Sequence, residues 1–361
     1  MKSILTFIII LFASLIYSGT SAQKKLAADK IVTPQDSGAY RKQQANKDFF
    51  NRIIQFSQLS WACLPYTDIG SDKKGYILSA DISPQFFIGG ERMRFAIALT
   101  PGYKVRIFRN NKSAGDSSLP VRTPSFMPGA TLFIPIHLGT PDLYKNIHYV
   151  SLSFFHHSNG QDQPTFKAPG VFNYATGNFS TNYFELGYTY NWRKSFQNQK
   201  SNLQFDCLGS EYPLGYIDKL FKIGLEQHVW TATEQKGTYG ETRINASFSF
   251  IKVNNWRWTV KRKQAKTRQQ VGSCYLKEAY RLIAKLSMNI DKLENPYNNF
   301  DRRLNIEAGI YRRIAAGNTS VFAMAGYYGN DPYNIYYSKN YPFIRAGLAL
   351  GFFVQTSKIS Q

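Results

Sequence analysis

Cysteine is nearly absent. Cys63, Cys207 and Cys274 are the only three in 361 residues, widely separated and without a C-x-x-C pair. An odd, scattered set excludes a disulfide-stapled scaffold, carries no metal signature, and allows one bridge at most. Acidic side chains are scarce as well: 23 Asp and Glu stand against 44 Lys and Arg, for a formal net charge of +21. Long apolar runs are missing beyond residue 17, where no stretch approaches the roughly 20 residues that a membrane-spanning helix needs. These absences leave a soluble β protein or a membrane β-barrel, as one large domain or two ordinary ones.

What is present begins with an export signal. Met1-Lys2-Ser3 carries one positive charge, residues 4–17 are apolar and residues 18–22 are small, so residues 1–22 read as a signal peptide cleaved after Ala22. No cysteine follows the apolar run, which argues against a lipoprotein. An exported chain seldom meets nucleic acid, so none is expected as a partner despite the basic balance. The fitting counterpart is an anionic surface, such as lipopolysaccharide phosphates or phospholipid headgroups; the basic tract at residues 261–268 is a loop that could grip such headgroups.

Aromatics make up 16% of the chain, with 24 Tyr and 27 Phe, a composition that suits strands with aromatic ends. Residues 23–74 read as a periplasmic or plug-like N-terminal segment, with Phe49, Ile53 and Phe56 at helical spacing. From residue 75 to 361 the pattern is strand, turn, strand. Residues 76–88 and 93–108 flank a Gly-Gly hairpin signal, and residues 192–201 read as a polar turn. Residues 240–251, 256–263, 280–291, 303–313, 320–328 and 343–354 are further strands. In residues 280–291, for example, Leu282, Leu286 and Ile290 alternate with Arg281, Lys285 and Asp291. A soluble sandwich leaves one face wet, whereas a membrane barrel turns the apolar face to lipid and keeps charges in its lumen. The expected fold is therefore all-β: a transmembrane antiparallel β-barrel of about 12 strands with a short N-terminal extension, crossing the outer membrane of a Gram-negative cell many times.

One stretch carries chemistry. In residues 149–159, Val150, Leu152, Phe154, His156 and Ser158 share one face, and Tyr149, Ser151, Ser153, Phe155 and His157 the other. In residues 180–190, Asn182 precedes Phe184, Leu186, Tyr188 and Tyr190 on an apolar face. Polar groups facing hydrocarbon must be bonded to one another near the interface. Residues i and i+2 lie about 6.5–7 Å apart along a strand, within reach of an imidazole and a hydroxyl. His156 as base, Ser158 as nucleophile and Asn182 as the amide orienting the imidazole are the parts of an acyl-transfer site. Backbone amides around Asn159 and Gly160 are the nearest oxyanion donors. His157 and Glu185 have lumenal parity, and His137, His148 and His228 have no companion pattern.

These residues resemble the outer-membrane phospholipase A family. Its active strand reads H-x-S-N-G with Pro-Thr a few positions on, then a Ser-Trp-Asn on the next strand; here His156-His157-Ser158-Asn159-Gly160 and Pro164-Thr165 match, and Ser180-Thr181-Asn182 resembles the second element. The resemblance covers about residues 154–186. It implies a twelve-stranded barrel that hydrolyses acyl esters of membrane phospholipids with His156, Ser158 and Asn182. It further implies an activity that depends on Ca2+, with Gln161 and Asp162 as the nearest candidate ligands, and on a homodimer. Two other readings compete. One is a lipid A deacylase-like barrel esterase, which uses a glutamate as third member on a shorter, eight-stranded chain. The other is a porin-like barrel without catalysis.

Overall fold

The structure is a computed structural model that describes residues 37–64, 67–69, 76–108, 123–136, 146–196, 215–260, 271–314 and 318–351. The expected signal peptide, Cys207, His137 and the tract 261–268 lie outside the described residues. The chain divides into two units, residues 1–41 and 42–361, and the barrel belongs to the second.

The wall is a closed antiparallel barrel of twelve strands. In order these are β1 (Ser60–Cys63), β2 (Tyr76–Ile82) with its short continuation β3 (Phe86–Ile88), β4 (Ala96–Phe108), β5 (Ser125–Pro135), β6 (Asn146–Ser158), β9 (Ser180–Phe196), β10 (Gly215–Val229), β11 (Thr242–Val260), β12 (Val271–Asn289), β13 (Leu304–Arg313), β14 (Thr319–Tyr328) and β15 (Tyr341–Leu350). A hairpin of β7 (Phe166–Ala168) and β8 (Val171–Phe172) stands between β6 and β9. Closure comes from β1, which pairs with β15 on one side and β2 on the other, while β2 and β3 both pair with β4. No edge is left open, as a sheet facing hydrocarbon requires.

The period-two pattern decides which residues meet lipid. On β10, Phe221, Ile223 and Leu225 point outward, about half exposed, whereas Asp218 and His228 are buried inside. On β12, Leu282 and Leu286 face out and Arg281 is sealed within, paired with Glu278. The outer wall is thus apolar and the lumen polar, the reverse of a soluble core.

Several stretches differ from the sequence reading, among them β12, which starts nine residues before the strand expected at 280. The wall starts at β1, before residue 75, because four residues are too few for alternation to register. Residues 192–196 continue β9 rather than turning; their ladder to β10 runs unbroken from Trp192 to Phe196. Residues 242–260 form one strand, since the β11–β12 ladder absorbs a bulge at Lys252/Val253.

Helix α1 (Ser37–Gln55) places Phe49 and Ile53 one turn apart. Both are buried against the inward-facing Ala96, Ile147, Tyr149 and Leu220. Arg52 donates to Asn191 Oδ1 at 2.8 Å and pairs with Asp48, so residues 46–55 fill the lumen at the end opposite Ser158. At the Ser158 end an aromatic roof gathers Phe172, Phe179, Tyr239, Tyr333, Tyr336 and Tyr337. Burial pushes the phenols of Tyr239, Tyr333 and Tyr337 up, so they stay neutral, and Tyr333 donates to the Thr123 carbonyl at 2.8 Å.

A charge on the outer wall is expected to be expensive. Ile223→Arg should lower barrel stability by about 2–4 kcal/mol in denaturant unfolding from lipid bilayers. An unchanged midpoint would contradict the lipid-facing assignment.

Candidate active site

His156 and Asn182 are directly paired across β6 and β9, and Ser158 pairs with Ser180 one step further toward the roof. The side chains follow that register. His156 Nδ1 lies 2.9 Å from Asn182 Oδ1, and His156 Nε2 lies 2.8 Å from Ser158 Oγ. An amide oxygen can only accept, so Nδ1 carries the proton and donates it to Asn182. Nε2 is then left with a lone pair that accepts from the Ser158 hydroxyl. That tautomer makes a base beside a hydroxyl. All three are half-buried and share the outer face with exposed Phe154 and Leu186.

The turn after Ser158 is tied down by hydrogen bonds. Asn159 is buried; its Nδ2 donates to the Gly177 carbonyl at 2.7 Å, and its Oδ1 accepts from Phe179 N at 3.1 Å and Gln161 N at 3.3 Å. Its own amide donates to the Phe179 carbonyl at 3.2 Å. Asn159 is thereby withdrawn as an oxyanion donor and instead ties the Ser158 turn to the strand that carries Asn182. Gly160 has φ +66°, a left-handed conformation that favours glycine. A Cβ there would meet only the Phe126 ring, at 4.0 Å, so the glycine is required by its backbone conformation rather than by crowding. The Gly160 amide is the remaining donor candidate.

Gln161 and Asp162 do not converge on a shared point. Gln161 Nε2 donates to Thr123 Oγ1 at 2.6 Å, and the exposed Asp162 carboxylate accepts from Gln163 at 3.5 Å. Calcium takes six to eight oxygens, several from carboxylates. Among the described residues no group of three His, Cys, Asp or Glu side chains gathers for a metal, so Gln161 and Asp162 do not form a carboxylate cage by themselves.

Glu185 points into the lumen, where Lys222 pairs with it and Asn245 donates to it at 2.8 Å. It is separated from His156 by the wall itself and so is no third member. His157 also points inward and is hydrogen-bonded to Ser125. His148 faces outward at the far end of β6, bonded to the Tyr188 hydroxyl at 2.6 Å. A cavity of about 410 Å³ lies in the lumen, lined by His157, Tyr183, Glu185, Lys222, Glu226 and Arg243. The three outer-face residues do not line it.

No protein-family model matches the chain. A search of curated proteins also finds no match. Among solved structures, outer membrane phospholipase A from Escherichia coli aligns with TM-score 0.47 and 12% identity, covering 81% of this chain and 90% of that one. The Salmonella typhi outer membrane phospholipase dimer with bound calcium aligns with TM-score 0.48 and 12% identity, covering 84% and 98%. Outer-membrane phospholipase A is what this barrel is similar to.

Sequence reasoning missed several residues around the site. Ser125, Thr181, Glu226 and Arg243 enter through lumenal contacts with His157 and His228. Their inward parity was readable, but their partners come from strands whose register is set only by folding.

With a soluble short-chain ester, His156→Ala is expected to lower turnover by about 10²–10⁴-fold, and Asn182→Ala to lower it less. Glu185→Gln should stay near wild type. A dead Glu185→Gln with active Asn182→Ala would assign the third role to the carboxylate.

Proposed function

We propose that this barrel is an outer-membrane phospholipase that hydrolyses the acyl esters of membrane phospholipids with Ser158, His156 and Asn182. The observation that carries the reading is the hydrogen-bonded row Ser158–His156–Asn182 on the lipid-facing wall. A nucleophile in that position suits a substrate whose ester stays at the bilayer boundary.

The chemistry runs in two halves. Ser158 Oγ attacks the ester carbonyl while His156 Nε2 takes its proton, and Asn182 Oδ1 holds Nδ1–H so that the imidazolium stays aligned. The Gly160 amide is assigned as the donor to the oxygen that becomes negative. Collapse breaks the ester bond, and His156 returns the proton to the departing lysolipid oxygen, leaving Ser158 acylated. Water then attacks with His156 again as base, the bond from the acyl carbon to Ser158 Oγ breaks as His156 returns the proton to that oxygen, and the fatty acid leaves. No step runs through a metal. Calcium dependence and dimerisation, which the family resemblance implies, are read separately by calcium titration and by cross-linking in bilayers.

The lipid A deacylase reading finds no support in Glu185, which is held by Lys222 on the opposite side of the wall. The deciding experiment is Ser158→Ala assayed for fatty-acid release from phospholipid vesicles and from lipid A. Loss on phospholipid is the expected result. Loss on lipid A alone transfers the site to the deacylase, and wild-type protein inactive on both is the porin-like outcome.

A further inference from the structure

Adjacent residues on a strand face opposite ways, so the outer pair His156 and Asn182 is backed inside by the pair His157 and Thr181, which are also register partners. Both inner residues are locked. His157 Nε2 bonds Ser125 Oγ on β5, and its ring meets Phe179 edge-on, with centroids 4.8 Å apart. Thr181 Oγ1 lies 2.9 Å from His228 Nδ1, and His228 Nε2 lies 2.6 Å from Glu226 Oε1, both on β10. Arg243 on β11 donates to the same Glu226 oxygen at 2.8 Å and to the Tyr239 hydroxyl at 3.2 Å. His228 Nε2 thus stands against both the Glu226 carboxylate and the Arg243 guanidinium, while its Nδ1 is hydrogen-bonded to the Thr181 hydroxyl. Two hydrogen-bonded groups, Ser125–His157 on β5 and β6 and Thr181–His228–Glu226–Arg243 on β9, β10 and β11, thus adjoin through the His157/Thr181 register pair and together form a polar belt at the height of the outer triad.

Its middle reads hydroxyl, imidazole, carboxylate, the order of a second nucleophilic site. Thr181, however, is 0% exposed and Ser125 is 0% exposed, so neither hydroxyl can be reached by a substrate. Buried ionic groups of this kind add little stability over a well-packed apolar wall; where they are kept, fixing one register is their best-attested use. Thr181 and Asn182 share a peptide bond, and so do His156 and His157. Pinning the inner member fixes the angle at which the outer one leaves the wall.

We propose that this lumenal belt positions the outer triad, with Thr181 as the positioning residue that sets the Asn182 amide against His156. The proposal rests on the phospholipase reading of that triad. A displacement of about 1 Å at a reacting centre costs about 10²-fold in rate, which is the scale of effect the belt controls.

The test is Thr181→Val, which keeps the shape and removes the hydroxyl, beside Thr181→Ser, which restores it. Hydrolysis of phospholipid vesicles is measured together with the melting of the folded barrel. Thr181→Val is expected to lower kcat by about 10–100-fold with KM and melting unchanged, and Thr181→Ser to recover most of the rate. Ser125→Ala, which cuts the other end of the belt, should also lower kcat without moving KM, and it carries the test if Thr181→Val does not fold. Wild-type kcat in both cut variants overturns the proposal, as does a fall that tracks lost melting temperature or that Ser fails to rescue. Ser158→Ala run alongside separates the two ideas. If it stays active, the triad reading fails; if it is dead while Thr181→Val is unimpaired, only the belt fails.

Discussion

A polar side chain that faces hydrocarbon has no water to bond, so its partner must stand on the same wall. That constraint joins His156, Ser158 and Asn182. Strand alternation puts all three on the outer face, the β6–β9 register brings two of them level, and the i, i+2 spacing supplies the third. The same rule sends Arg281, Glu278 and Asp218 inward, where each finds a polar partner. A single solvent reversal, apolar outside and polar inside, thus sets both the architecture and the position of the proposed site.

The row is fixed from three directions. Asn159 ties the turn after Ser158 to Gly177 and Phe179, just before Asn182 in the chain. The aromatic roof holds the loops above it through Phe172, Phe179 and Tyr337. Below the roof and behind the wall, the lumenal contacts of His157 and Thr181 hold the backbone from inside. An active group on a barrel wall lacks the surrounding shell of a buried cleft. These ties, drawn from the turn, the roof and the lumen, stand in for that shell.

Much of this was legible in sequence, for a physical reason. Period two holds along each unbulged stretch of wall, so the faces of Leu282, Arg281, Phe154 and His157 could be read one strand at a time. The outward parity of His156, Ser158 and Asn182 needed no knowledge of the fold beyond that. What escaped depends on long-range register. β1 is too short to show a pattern. Ser125 reaches His157, and Glu226 reaches Arg243, only because particular strands pair with particular offsets. Asn159 looked like an oxyanion donor because its neighbours suggested a free turn, whereas its amide and side chain are taken by β9-side carbonyls and amides. Helix α1 was visible as a 3.6-residue spacing of Phe49 and Ile53 in a segment read as periplasmic or plug-like, but the wall residues that Phe49 and Ile53 pack against were not.

The central claim is that Ser158 is the activated hydroxyl and that it works from the lipid side. Treating the folded barrel in bilayers with a long-chain alkylsulfonyl fluoride and mapping the adduct by mass spectrometry tests it most directly. The account predicts a single sulfonyl adduct on Ser158 that is lost when His156 is replaced. An adduct on Ser125 or another serine, with Ser158 unmodified, would contradict it.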